Sequence, residues 1–417
     1  MESENSERFT RSTEEELLIT QKMTHDNKNI FIEPWIEEEG WNNEVLSKVE
    51  TPAYVVSLEK LERNLDILKR VQENTKCHIV MALKSFSMYS TFPLIKKYLH
   101  GSEASSVDEA RLGYEKFNKN VHVFSPSYTE KNIKEYIKYS SHMVFNSFSQ
   151  WDKFKSIIKD SKKKVSCGIR VNVEHSEVEN PMYDPSSPDS HFGVKINDFE
   201  KDNLDGIEGL HFHNLCEESA DALERTLKVF EEKFGEFLHR MKWVNFGGWH
   251  HITRRDYDVD LLCKIITDFK SRHAHLEVYL EPGEAIALNA GVLVGSVVDI
   301  FKGIAVLDVS ATCHMPDVLE MPYLPSILDA KPTKEGTTNN YRLVGPSCLT
   351  GDVIGQYSFA KPLAIGQKLV FLNMAIYTMV KNNTFNGVPL PSILTMDKDN
   401  KIKLIKKFNY KDFKGRL

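Results

Sequence analysis

Residues 276–301 read LEVYLEPGEAIALNAGVLVGSVVDIF, and the way this stretch divides decides the fold. LEVYL (276–280) is a short apolar run that stops at Glu281-Pro282-Gly283, a turn signal, so it reads as a strand delivering a carboxylate at its end. GVLVGSVVDIF (291–301) is rich in β-branched residues, with glycine punctuation and no helical period. The apolar run 285–298 between them is interrupted by Asn289 and is too short to span a bilayer. Two structural regimes therefore meet near residue 290.

Upstream, short strand candidates alternate with amphipathic helix patterns. The strands are HIVMALK (78–84), HVFSP (122–126), MVFN (143–146), VSCGIRVN (165–172), IEGLHFHN (207–214) and WVNFGG (243–248). Helix patterns such as SLEKLERNLDILKRVQ and ADALERTLKVFEEKFGEFLHRM separate them. This alternation predicts a parallel sheet with right-handed crossovers. The number of units fits an α/β (β/α)8 barrel, whose site lies at the C-terminal ends of its strands. Downstream of 290, runs such as GIAVLDVSA, YRLVGPSC and QKLVFLNMAIYTMV predict a second, all-β domain of β-sandwich or barrel-like type. The expected division is 58–290 for the barrel and 47–57 with 291–417 for the β domain. Residues 1–46 form an N-terminal extension, in which STEEELLITQKM offers a capped helix.

With 417 residues, the chain is long enough for two domains. A net charge of −6 without a basic block argues against a nucleic-acid or membrane surface. Six cysteines without CxxC pairs fit a reduced compartment, and the polar, acidic N-terminus is unlike a signal peptide, so a cytoplasmic protein is expected.

Lys84 ends an apolar strand, where a desolvated amine can form a Schiff base; an ordinary strand-end lysine is the bland alternative. His211 and His213 share one face of a strand. They fit a metal pair, to which His250 could add, or a histidine stacked on a flat cofactor, or buried core histidines. Glu281 can pair with a cation or a pyridinium nitrogen. GPSCLTGDV holds Cys348 and Asp352 four apart, suited to a reactive loop or to simple burial. Tyr377 precedes an Asn/Gly-rich turn, where its hydroxyl could bond a phosphate or merely pack.

The order of these features, with the phrases ALKSFS, GSEASSVDEARLG, GLHFHNLCE, HHITRRDYD, LEPGEA, SATCHMPDVLEMPY and GPSCLTGDV, resembles the fold-type III pyridoxal-phosphate decarboxylases. That family includes ornithine and diaminopimelate decarboxylases, and the chain looks most like its carboxynorspermidine/carboxyspermidine branch over roughly 51–395. The resemblance implies pyridoxal phosphate as cofactor and no metal. Lys84 would bind the cofactor covalently, His213 would stack on its ring, and Arg170 would lie beneath it. Glu281 would keep the ring nitrogen protonated. Gly247, Gly248, Gly283 and Tyr377 would bind the phosphate. It further implies a homodimer with shared active sites. Cys348 of the partner chain would then return a proton to the product, and Asp352 would meet an amine of a carboxylated polyamine. Glu284 and Asp308 are further candidates for amine contacts.

Several positions depart from the family pattern: Trp249 replaces a glycine of the phosphate loop in NFGGWHH, His191-Phe192-Gly193 stands for Arg-Leu-Gly, Val173 for Pro, Asn373 for Asp and Ile376 for His. The expected activity is decarboxylation of carboxynorspermidine or carboxyspermidine in polyamine biosynthesis. The alternatives are a diverged, weakly active or inactive paralogue that binds polyamines or a protein partner, and a metal-dependent barrel hydrolase.

Overall fold

The structure is a computed structural model that describes residues 33–178, 183–248, 250–334 and 336–417. The helix expected in STEEELLITQKM, and Trp249, lie outside the described residues. The chain forms two compact units, one of residues 58–288 and one combining the residues up to 57 with 289–417.

The first strand, β1 (Ala53–Ser57), belongs to the second unit. The next eight close a parallel barrel: β2 (His78–Ala82), β3 (Gly101–Ala104), β4 (Asn120–Phe124), β5 (His142–Phe145), β6 (Ser166–Arg170), β7 (Ile207–His211), β8 (Trp243–Asn245) and β9 (Glu277–Leu280), with β9 paired to β2. The helices between them bury one stripe each. In α1 (Leu58–Thr75) the stripe is Leu61, Leu65, Leu68 and Val71; in α2 (Ala220–Phe234) it is Leu223, Leu227, Phe230 and Phe234. Both are spaced at three and four residues, as an amphipathic helix facing a core requires. Inside the barrel, the Trp243 indole occupies space that only glycine leaves open. A Cβ on Gly209 would sit 2.1 Å from that ring.

The N-terminal end of the barrel is filled by imidazoles. His78 and His100 lie 4.0 Å apart between ring centroids, as do His122 and His142, and Tyr279 packs 4.6 Å from His122. Burial makes the imidazolium unfavourable here. It pushes His100 and His142 down to about 4 and His122 well below its ordinary value, with the neighbouring imidazoles adding to the effect on His122. A histidine whose folded-state value is depressed stabilises the fold fully above the unfolded value of about 6.5 and loses that contribution as pH falls toward 4. For His142 the full loss is roughly 3 kcal/mol. Urea unfolding should therefore be flat from pH 8 to 7 and weaken steeply from 6 to 4.5. In His142→Gln the slope should be shallower; an unchanged slope would assign acid lability elsewhere.

The second unit is a mixed sheet. It adds to β1 the strands β10 (Gly291–Phe301), β11 (Ile304–Leu307), β12 (Ala330–Pro332), β13 (Asn340–Val344), β14 (Val353–Phe359), β15 (Lys368–Phe371), β16 (Ser392–Met396) and β17 (Ile402–Lys406). Their order is β12-β14-β13-β11-β10-β1-β16-β17, with β15 also paired to β10. Leu293 belongs to one hydrophobic cluster, while Val292 and Val294 belong to another. Because side chains alternate along a strand, β10 is covered on both faces, which is why it reads as one continuous apolar run. The second cluster also takes in Trp41, Leu46 and Val49, so the end of the N-terminal segment packs on this sheet. Asn289, the break in the apolar run, has φ 56°. Its side chain accepts from the Glu37 N–H at 3.1 Å and donates to the Trp35 carbonyl at 3.1 Å.

Candidate active site

The parallel strands send their C-terminal ends into one cavity of about 500 Å3. Arg170 and His211 end β6 and β7, Glu103 lies in β3, and Lys84 and Glu281 follow β2 and β9. All five line the cavity, together with His213 and the segment Tyr183–Phe192.

Glu281 is the most constrained of these groups. Its Oε1 accepts from Asn245 Nδ2 at 2.5 Å, and its Oε2 lies 3.4 Å from His211 Nε2. Burial alone would raise its pKa, but His211, the Asn245 donor and Lys84 outweigh that and hold the carboxyl below its ordinary value. Glu281 is therefore an anion in a dry site. The same Asn245 side chain accepts the Gly247 N–H on Oδ1 at 2.9 Å. Gly247 has φ 76°, and a Cβ there would lie 2.5 Å from the Phe212 carbonyl oxygen; one on Gly248 would lie 2.3 Å from the Glu281 carbonyl oxygen. Both positions admit only glycine without a backbone shift. The Gly248 N–H donates to His213 Nδ1 at 2.9 Å, which leaves the proton of the neutral ring on Nε2. Burial, with Lys84 and Arg170 nearby, keeps His213 far below its ordinary value and uncharged.

The Arg170 guanidinium lies against both Phe124 and Phe192, 4.5 Å from each ring centroid, and donates to the His213 carbonyl at 3.0 Å. Burial lowers it to about 9. Phe192 is held in place by Asn146, whose amide donates to the His191 carbonyl and accepts from the Gly193 N–H, both at 2.8 Å. The altered His191-Phe192-Gly193 triplet thus forms one wall of the cavity. Glu103, which the sequence reading did not single out, is buried beside Lys84, and burial together with the Glu281 charge raises it well above the usual carboxylate range.

The other expected residues fall elsewhere. Gly283 packs on Ser85, whose Oγ would lie 2.0 Å from a Cβ there. Glu284 does not line the cavity; it is buried and hydrogen-bonded to His251 Nε2 at 2.5 Å. Glu217 joins that pair, and burial with the Glu284 charge pushes it up to about 7. Cys348, Asp352, Asp308 and Tyr377 all belong to the sheet unit. Asp352 is buried and accepts from Ser310 Oγ, the Thr312 N–H and Ser347 Oγ. Asp308 accepts from the Ser296 N–H and Thr51 Oγ1, both at 2.6 Å. Each of the three carboxylates expected to meet substrate amines thus has protein hydrogen-bond partners of its own. Cys348 is exposed. Tyr377 and Asn373 have φ of 47° and 55°, and Asn373 Oδ1 accepts from the Asn289 N–H at 2.9 Å. Asparagine suits that left-handed position.

The donor set fits pyridoxal phosphate. It provides an amine at a strand end, an anion stabilised in a buried site, a flat neutral imidazole, and a glycine turn whose backbone admits no side chain. Among the described residues, two groups bring metal-ligating atoms within 4.8 Å of one another: His211, His213 and Glu281, and Glu217, His251 and Glu284. The first shares its cavity with Lys84 and Arg170, two cations that oppose a divalent ion.

The family model "Pyridoxal-dependent decarboxylase, C-terminal sheet domain" matches residues 53–375. The chain is 44% identical over 382 residues to a carboxynorspermidine/carboxyspermidine decarboxylase of Campylobacter jejuni, covering 88% of this chain and 99% of that protein. It is 41% identical over 379 residues to a carboxyaminopropylagmatine decarboxylase of Synechocystis, covering 90% and 97%. The crystal structure of carboxynorspermidine decarboxylase from Campylobacter jejuni complexed with norspermidine aligns with a TM-score of 0.82 at 43% identity, over 88% of this chain and 100% of that one.

Proposed function

The chain belongs to the pyridoxal-dependent decarboxylases, and on that premise we propose that it converts carboxynorspermidine or carboxyspermidine to norspermidine or spermidine. The observation that carries this reading is the distribution of charge in the cavity. Lys84 and ionised Glu281 stand at the barrel strand ends, while Asp184 and Asp189 face the cavity from the 183–192 segment. Glu103 is buried and raised above the usual carboxylate range, and Glu281 is held by Asn245. Among the described lining residues, the exposed Asp189 and Asp184, whose Oδ1 accepts the Ser186 N–H at 2.8 Å, are the carboxylates assigned to a polycationic tail.

Pyridoxal phosphate, when bound, supplies the electron sink that lets the bond between Cα and the carboxylate break. Lys84 would hold it covalently, Glu281 its ring nitrogen and His213 its ring face, and its phosphate would lie against the Gly247-Gly248 turn, where no side chain intrudes. Arg170 keeps the His213 segment in place through its bond to the His213 carbonyl. Carbon dioxide leaves and one proton enters at Cα. Cys348 is the proposed donor of that proton, acting in the site of a partner subunit; no cysteine lines the barrel cavity among the described residues. A homodimer with shared sites, in the cytoplasm, is part of the same proposal.

Carboxyaminopropylagmatine is the second reading, favoured by the similarity to the Synechocystis enzyme. Its tail ends in a guanidinium, where the norspermidine tail ends in an ammonium. Release of carbon dioxide from each of the three substrates, with product identified by mass, tests the proposal; turnover of none of them would refute it. Asp189→Asn, alone or with Asp184→Asn, should raise KM for the preferred substrate about 5- to 10-fold, near 1 kcal/mol for partly exposed charge pairs, with kcat little changed. An unchanged KM in an active enzyme would remove these carboxylates from recognition.

A further inference from the structure

We propose that Asn245 is a positioning residue that fixes the Glu281 carboxylate and the Gly247 turn relative to one another. The inference rests on the pyridoxal-phosphate reading of the site and assigns a role to a residue that does not line the cavity.

Asn245 ends β8 and is fully buried. Its amide is used at both ends, and the two bonds dictate its orientation. The Gly247 N–H is a donor, so it must face the carbonyl oxygen. The NH2 group then faces Glu281 Oε1. A flipped amide would lose both bonds. The turn is also tied to the strand end by the Glu281 N–H, which donates to the Gly247 carbonyl at 2.7 Å. One side chain therefore joins the group assigned to the cofactor's ring nitrogen to the turn assigned to its phosphate. These are the two ends of one rigid ligand, so an error in their separation is felt at both.

An amide is required here rather than a carboxylate. In Asn245→Asp one oxygen could still accept the Gly247 N–H, but the other would meet Glu281 Oε1 with no proton between them at high pH. Two carboxylates at hydrogen-bond distance cannot both stay ionised cheaply, so the pair would take up a proton and Glu281 would lose its command of the ring nitrogen. Changes to groups that orient a ligand typically cost 10- to 100-fold.

The experiment measures pyridoxal-phosphate affinity of the apoprotein by fluorescence titration, the visible band of the holoenzyme against pH, and kcat from pH 6 to 9. The variants are Asn245→Asp, Glu281→Gln and the double variant. Asn245→Asp should bind the cofactor about 10-fold more weakly and lose roughly 10- to 100-fold in kcat at pH 8, recovering toward pH 6 as the pair regains a donor proton. In the Glu281→Gln background the same substitution should cost little, because the glutamine amide can donate to the introduced aspartate. Equal losses in both backgrounds, or a loss that does not vary with pH, would overturn the role of Asn245. A wild-type protein with no visible band would overturn the cofactor reading and this inference with it. Should Asn245→Asp not fold, Asn245→Ser gives the second reading: weaker cofactor binding at every pH supports the proposal, and wild-type affinity overturns it.

Discussion

Lys84→Ala is expected to lose at least roughly 10⁴-fold in decarboxylation, the upper end of what one positioned proton-transfer group contributes. The reason is its place in the site: it is the one lysine among the described residues of the cavity, so no second amine stands ready to replace it. Arg170 is held by two aromatic rings and a carbonyl, and His213 by the Gly248 N–H. The variant should keep its fold, because Lys84 is only partly buried and follows β2 rather than sitting in it. It should also lack the band that borohydride reduction attaches to residue 84 in the wild type. Mixing it with Cys348→Ala tests the shared site. If each site takes Lys84 from one chain and Cys348 from the other, mixed dimers regain one good site, and activity returns to about a quarter of wild type. No recovery on mixing would mean that each chain carries its own proton donor. Measurable turnover by Lys84→Ala alone would contradict the lysine assignment outright.

What could be read from the sequence was local. The strand leading to Glu281, the histidines His211 and His213 and the glycine pair after β8 are short signals, each complete within a few residues; the first two reach the cavity and the third is bonded to it through His213. The closure of β9 onto β2 and the placement of β1 between β10 and β16 join distant parts of the chain, and no local pattern encodes them. Carboxylates were the hardest to read. Glu284, Asp308 and Asp352 have the right chemistry for an amine, but the partners they hold within the chain, the His251 ring for Glu284 and N–H and hydroxyl groups for the two aspartates, are set by packing. Asp184 and Asp189 are the reverse case: nothing nearby in the chain marks them, and only the fold brings their segment to the cavity. Asn245 stood within the NFGG stretch, but its value depends on Glu281, which arrives from the next strand. Glu103 likewise gains its raised pKa from burial and from Glu281, two features absent from GSEAS as text.

Glu281→Gln is the second change expected to be severe, at about 10²- to 10⁴-fold in kcat, the range for loss of a group that controls one proton. The wild-type carboxylate is an anion because His211, Asn245 Nδ2 and Lys84 together outweigh its burial. A glutamine keeps the volume and loses the charge, so on the proposed reading the cofactor's ring nitrogen would no longer be held in its protonated form. Its carbonyl can still accept from Asn245, provided the new NH2 turns toward His211 Nε2, which can accept when neutral. The structure thus accommodates the substitution, and the effect should fall on kcat with the retained cofactor and KM nearly unchanged. That split separates loss of chemistry from loss of the site. A large rise in KM, or an apoprotein that no longer takes up pyridoxal phosphate, would place Glu281 among the groups that build the pocket; kcat within threefold of wild type would mean that the proton on the ring is not held by Glu281 at all.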